Sequence, residues 1–92
     1  MQQIVRFVDT PNGPLVVADA EPALLMNEVS ARRLRRDLSR ALGETPVLLR
    51  CQIGSSWSFA GDPSLCRYAV DPLLETLPRV SLDIEPPPQR AA

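Results

Sequence analysis

Chemistry in a small domain needs groups that hold a proton, a metal or a leaving atom, and in this chain the supply is narrow. There is no histidine, which removes Ser-His-Asp and Cys-His catalysis, His-bearing zinc sites and a simple switch near neutral pH. All ten basic residues are arginine, so Schiff-base chemistry and a phosphate-loop lysine are missing as well. Cys51 and Cys66 are too far apart for a C-x-x-C arrangement, and two thiolates alone do not close a zinc site. Three readings of them stay open: buried small hydrophobes in a reducing compartment, a disulfide between neighbouring strands, or a reactive or metal-binding pair. The first is the expectation, because each cysteine falls on the apolar side of its run.

The segment G-S-S-W-S-F at 54–59 has the hydroxyl density of a ligand-binding turn but not the glycine spacing of a phosphate loop, and G-x-S-x-G does not occur. It reads as a hairpin arm with serines outward and aromatics inward. The carboxylate pairs Asp71/Glu75 and Asp83/Glu85 each fall on one face, and with no pocket to raise one of the two pKa values they read as solvated surface. No catalytic residue, cofactor or metal is expected, and an enzyme or small-ligand site between Trp57 and the helix ranks last.

Arginine is the one type that gathers. Residues 28–50 hold six arginines against Glu28, Asp37 and Glu44, a surplus of +3 in a chain whose net charge is −1. Arg32, Arg33, Arg36 and Arg40 share one side of a helical projection and Ala31, Leu34, Leu38, Ala41 and Leu42 the other, at about 100° per residue. The residues 27–42 are therefore expected to form one long amphipathic helix, started by Asn27 as N-cap with Glu28 in its first turn and stopped at Gly43. Such an arginine face is ordinarily solvent cover, with Asp37 available to Arg33 and Arg40 for local pairing. The functional alternatives are contact with a nucleic-acid backbone and docking to an acidic protein surface. Against nucleic acid stand a pI near 5.3, the missing lysines and aromatics that look core-bound.

Around that helix the remaining elements are short. The runs Q-I-V-R-F-V-D at 3–9 and L-V-V-A at 15–18 flank T-P-N-G-P, strong turn chemistry, and predict a β-hairpin. Residues 23–26 read either as a short third strand or as the start of a helix, with the strand preferred. V-L-L-R-C-Q-I at 47–53 reads as a half-buried strand with Val47, Leu49, Cys51 and Ile53 inward and Leu48, Arg50 and Gln52 on the other side. The runs at 55–60 and 65–70 predict a second hairpin closed by G-D-P-S, which sets Trp57 opposite Tyr68 and Phe59 opposite Cys66. Asp71-Pro72 starts a short helical turn ended by Pro78. Val80, Leu82 and Ile84 alternate with polar residues in a last strand, and Pro86-Pro87-Pro88 stops it.

The expected fold is α+β: a single domain over residues 1–85 with an antiparallel or mixed five- to six-strand sheet and the long helix packed on one face, followed by a Pro-rich tail at 86–92. No apolar run is long enough to span a membrane and no signal peptide is recognisable, so a cytoplasmic location is expected. The arginine and proline usage suggests a bacterial or phage genome. One helix leaves the far face of such a sheet bare. Ile4, Val8 and Leu48 point to that face, which makes them the expected interface of a non-enzymatic protein-interaction module, a homodimer or an accessory subunit of a larger assembly that binds through an uncovered sheet face or edge. The alternative is a small nucleic-acid-associated regulator acting through the arginine face.

Overall fold

The computed structural model describes residues 2–70 and 72–84. Asp71, Glu85 and the expected tail at 86–92 lie outside them. The first hairpin forms as expected: β1 (Gln2–Thr10) pairs antiparallel with β2 (Gly13–Asp19). The Thr10 hydroxyl closes its turn by donating to the Gly13 carbonyl at 2.7 Å while accepting from the Asn12 N–H at 3.2 Å. The chain then enters two consecutive helices and returns as β3 (Val47–Ile53), parallel to β2. A parallel neighbour needs a crossover, and the helices supply it.

Residues 23–26 are helical rather than a strand. They lie within α1 (Pro22–Met26), whose first position is Pro22, where the ring's fixed φ suits a helix and no N–H is missed. The longer helix α2 (Glu28–Ala41) follows directly. Asn27 caps it, its side-chain oxygen accepting from the N–H groups of Val29 at 3.1 Å and Ser30 at 3.2 Å. At the far end Gly43 takes φ +69° and the Glu44 N–H donates to the Ser39 carbonyl at 2.7 Å, the wide closing bond of a Schellman motif. Ala31, Leu34 and Leu38 are buried and Leu42 packs against them, whereas Ala41, expected in the same stripe, is exposed because the helix ends there.

The sheet is mixed and five-stranded, in the order β4-β3-β2-β1-β5, where β4 is Ser56–Ala60 and β5 is Val80–Asp83. The class is the expected one, α+β with an amphipathic helix on one face. Its second hairpin differs. β3 turns straight into β4 through Gly54 and Ser55, setting Ile53 opposite Ser56 and Gln52 opposite Trp57. Gly54 has φ +64°, as the first residue of a two-residue II′ loop requires. The run at 65–70 is not a strand: Pro63–Leu65 form a 3-10 turn continuous with α3 (Cys66–Ala69), and Pro72–Thr76 form a second 3-10 turn. Asp62 starts this stretch by accepting at Oδ1 from the N–H and the hydroxyl of Ser64, which lowers its carboxyl pKa. Trp57 therefore does not face Tyr68.

Those turns cover the face that a single helix leaves bare. Beneath α1 and α2 lies one cluster built on Val5, Val16, Ala18, Leu34, Leu38 and Leu49, joined by Val80, Leu82 and Ile84 from the last strand and just beyond it. On the opposite face Leu15, Val17 and Leu48 pack against Ala69 and Leu74, with Val8, Phe59, Leu65 and Tyr68 at the margin. β3 is thus buried on both sides from Val47 to Cys51, which corrects the half-buried reading, while Ile53, expected inward, is 44% exposed at the strand's end. Leu48, expected at an interface, is 0% exposed inside its own chain.

Candidate functional site

The second face is apolar at one end and charged at the other. The register aligns Arg6 with Val17, and Asp19 with Arg50, so both arginines lie on the side covered by the turns. Their side chains are only 5% and 3% exposed, the deepest charges described in the molecule. A guanidinium taken that far from water is tolerated only with acceptors around it.

Two carboxylates supply them. Asp19, at the end of β2, accepts from Arg50 Nε at Oδ1 (2.7 Å) and from Arg6 Nη1 at Oδ2 (3.0 Å). Glu75, on the second 3-10 turn, accepts from Arg50 Nη2 at Oε1 (2.9 Å), and its Oε2 lies 3.5 Å from Arg6 Nη2. Each carboxylate bridges both guanidiniums, so the four residues close into a ring with no net charge. Arg50 also donates through Nη1 to the Ala69 carbonyl at 2.8 Å, and its guanidinium lies 4.5 Å from the centroid of the Trp57 ring. One side chain from β3 thereby holds the end of α3, the second 3-10 turn, β2 and β4 together. Arg6 is less complete, since its buried Nε has no acceptor.

The ring floors an open cleft of about 740 Å3, also lined by Glu21, Gln52 and Arg79. Among the described residues Arg79 makes no ion pair, and Glu21 lies in the same lining, so the cleft as a whole has no surplus of either sign. What the ring does chemically is crosslink. Every oxygen of Asp19 and Glu75 faces a guanidinium, and the contacts bind the covering turns to the strands. Sequence reasoning placed Glu75 with Asp71 as solvated surface and Arg50 on an outer face. The signal available for correction was Arg6 and Arg50 sitting within otherwise apolar β-runs.

Elsewhere the described residues contain no group of three or more Cys, Asp or Glu able to hold a metal. Cys51 and Cys66 are free thiols in different clusters, Cys51 beneath the helices and Cys66 beneath the turns, and burial, then the nearby Asp62 charge, raises the Cys66 pKa. Trp57 lies on the Arg50 side of the sheet, away from α2, so no site forms between it and that helix. The chain matches no family model, no curated protein and no solved structure.

The arginine face stands as drawn: Arg32, Arg33, Arg36 and Arg40 are all exposed. Arg32 pairs with Glu28 at 3.1 Å, one turn away, while Asp37 pairs with neither Arg33 nor Arg40. Of the three expected interface residues, Ile4 is 39% exposed, Val8 is half-buried against the second cluster and Leu48 is enclosed. The open surface is at the sheet's edge. β4 is the outermost strand on its side and bears no charge and no proline, so half of its backbone groups point away from β3. The small side chains of Ser58, Ala60 and Gly61 there, with Ala31 and Arg35 on α2, leave a groove of about 540 Å3 between strand and helix.

Proposed function

We infer that this is a small non-enzymatic protein-interaction module, a homodimer or accessory subunit, whose binding element is the open edge of β4 with the groove beside it. The observation that carries the reading is the contrast between the sheet's two edges. Natural sheets blunt their edges with charge or proline. β5 carries Asp83 and follows Pro78, whereas S-W-S-F-A in β4 has neither. An unguarded row of backbone donors and acceptors beside a groove of mixed polar and apolar lining suits an added strand, in which backbone bonds give affinity and side-chain pockets give selectivity. Met26, 70% exposed at the groove's rim, adds adaptable apolar surface.

The test is amide hydrogen exchange of the β3–β4 hairpin as the protein is concentrated and as extended peptides are added. Protection across residues 56–60 should rise in at least one of these titrations. Exchange that neither moves would overturn the reading.

A second reading rests on the exposed, unpaired Arg33, Arg36 and Arg40: docking of α2 to nucleic acid or to an acidic protein. Backbone contact with nucleic acid would weaken steeply with salt, and removing all four face arginines would flatten the slope by up to about four contacts. A salt-independent baseline at low ionic strength removes the nucleic-acid reading.

A further inference from the structure

We propose that the strand received by β4 is the β4 of a second copy, joined antiparallel about a two-fold axis through Ser58. This rests on the edge reading above and names its occupant. The strand S-W-S-F-A is self-complementary in that register. Ser58 meets Ser58, Ser56 meets Ala60, and Trp57 of each copy lies opposite Phe59 of the other. The last match places two aromatic cross-strand pairs on one face of the joined sheet, a pairing that stabilises such ladders. On the other face only serine and alanine meet, which lets the strands approach beneath the helices.

The groove supplies the second argument. Glu28 and Arg35 both line it, two turns apart on α2 and on either side of Ala31, which also lines it. A two-fold axis beside Ala31 and Ser58 brings Glu28 of one copy toward Arg35 of the other. Arg35 makes no ion pair among the described residues and its Nε has no acceptor there, so its guanidinium is available to a carboxylate across the axis. With α2 lying mainly over β3, the two helices stand about 14 Å apart at about 4.8 Å per strand, wider than the 8–10 Å of packed helices. Long side chains such as Arg35 and Met26 span that gap. The product is a continuous sheet with the arginine faces of both α2 helices on one side.

Sedimentation of the full chain between 10 µM and 1 mM, with Ser58→Lys and Ser58→Glu beside it, tests the proposal. The chain should move from about 10.1 kDa toward twice that mass. Each variant places like charges directly opposite one another and should raise the dimer dissociation constant at least tenfold, and mixing the two should restore a heterodimer. A wild type that stays monomeric at 1 mM overturns self-pairing, as does a dimer that both variants leave intact. If the variants fail to fold, the wild type decides alone: a dimer whose residues 56–60 exchange as fast as in the monomer overturns it. A monomer whose β4 is protected by an extended peptide keeps the module reading and removes only the second copy. A monomer protected by nothing removes both.

Discussion

Asp19 and Glu75 do the same job with unequal contacts, and the difference is measurable. Asp19 holds the two buried guanidiniums at 2.7 and 3.0 Å, Glu75 at 2.9 and 3.5 Å. Removing either acid strands positive charge that has almost no access to water, which costs far more than an exposed pair. Asp19→Ala should lower unfolding free energy by about 3 kcal/mol and Glu75→Ala by about half that, read from denaturant midpoints at constant slope. Losses under about 1 kcal/mol would mean that water from the cleft replaces the missing acid, since the Asp19 and Glu75 side chains are 37% and 57% exposed. A second single-residue test lies at Gly61, which has φ +143° and whose added Cβ would come within 2.8 Å of Leu48 Cδ1 and 3.3 Å of the Val47 carbonyl. Gly61→Ala combines backbone strain with overpacking against a core strand and should cost about 2–3 kcal/mol. A thermal midpoint unchanged from wild type would show that β4 shifts freely.

At the scale of elements, α2 makes the plainest claim. Leu38 is 0% exposed at the centre of its buried stripe, and Arg36 is exposed with no ion pair among the described residues. Leu38→Ala should cost about 2–5 kcal/mol and Arg36→Ala under about 0.5. Comparable midpoints would mean that the helix packs through another face. This helix was legible in the sequence because its cap, its stripe and its stop residue all agree. The first hairpin and β5 were legible through turn chemistry and period-2 alternation. Two further signals of equal standing lie in the sequence. Gly54-Ser55 is a two-residue hairpin loop, and Asp62-Pro63 is the same cap-and-first-turn pair that was credited at Asp71-Pro72. The run L-C-R-Y-A-V holds a single charge among apolar residues and has no period of its own that separates strand from helix. Its short helix follows from that start and from the bond of its Ala69 carbonyl to Arg50, a contact from a residue nineteen positions earlier that no local pattern encodes.

Across the whole molecule, a sheet with one helix would leave one face bare for a partner. That face is covered, because the segment after β4 folds back over it and the charge ring fastens it there. The case for a partner now rests on the edge instead. Arg6 and Arg50 sit within otherwise apolar β-runs, a weak sign of burial, since arginine in a strand is ordinarily outward. Only the pairing of β2 with β3 puts Asp19 beside Arg50, and only the covering turn brings Glu75 to both.

The two cysteines, one on each side of the sheet, give the protein a separate clock for each of its cores. Cys51 is buried and becomes reactive only when the helices lift, whereas Cys66 is half-buried among the turns and is reached more readily as they loosen, so thiol labelling under native conditions follows the two faces separately. The turns hold their face through a few short segments and one ring, while the helices bury a larger continuous cluster. With the raised thiol pKa of Cys66 taken into account, Cys66 should label with the lower opening free energy, and Glu75→Ala should speed Cys66 while leaving Cys51 at its original rate. Equal acceleration at both would mean that the molecule opens as one piece.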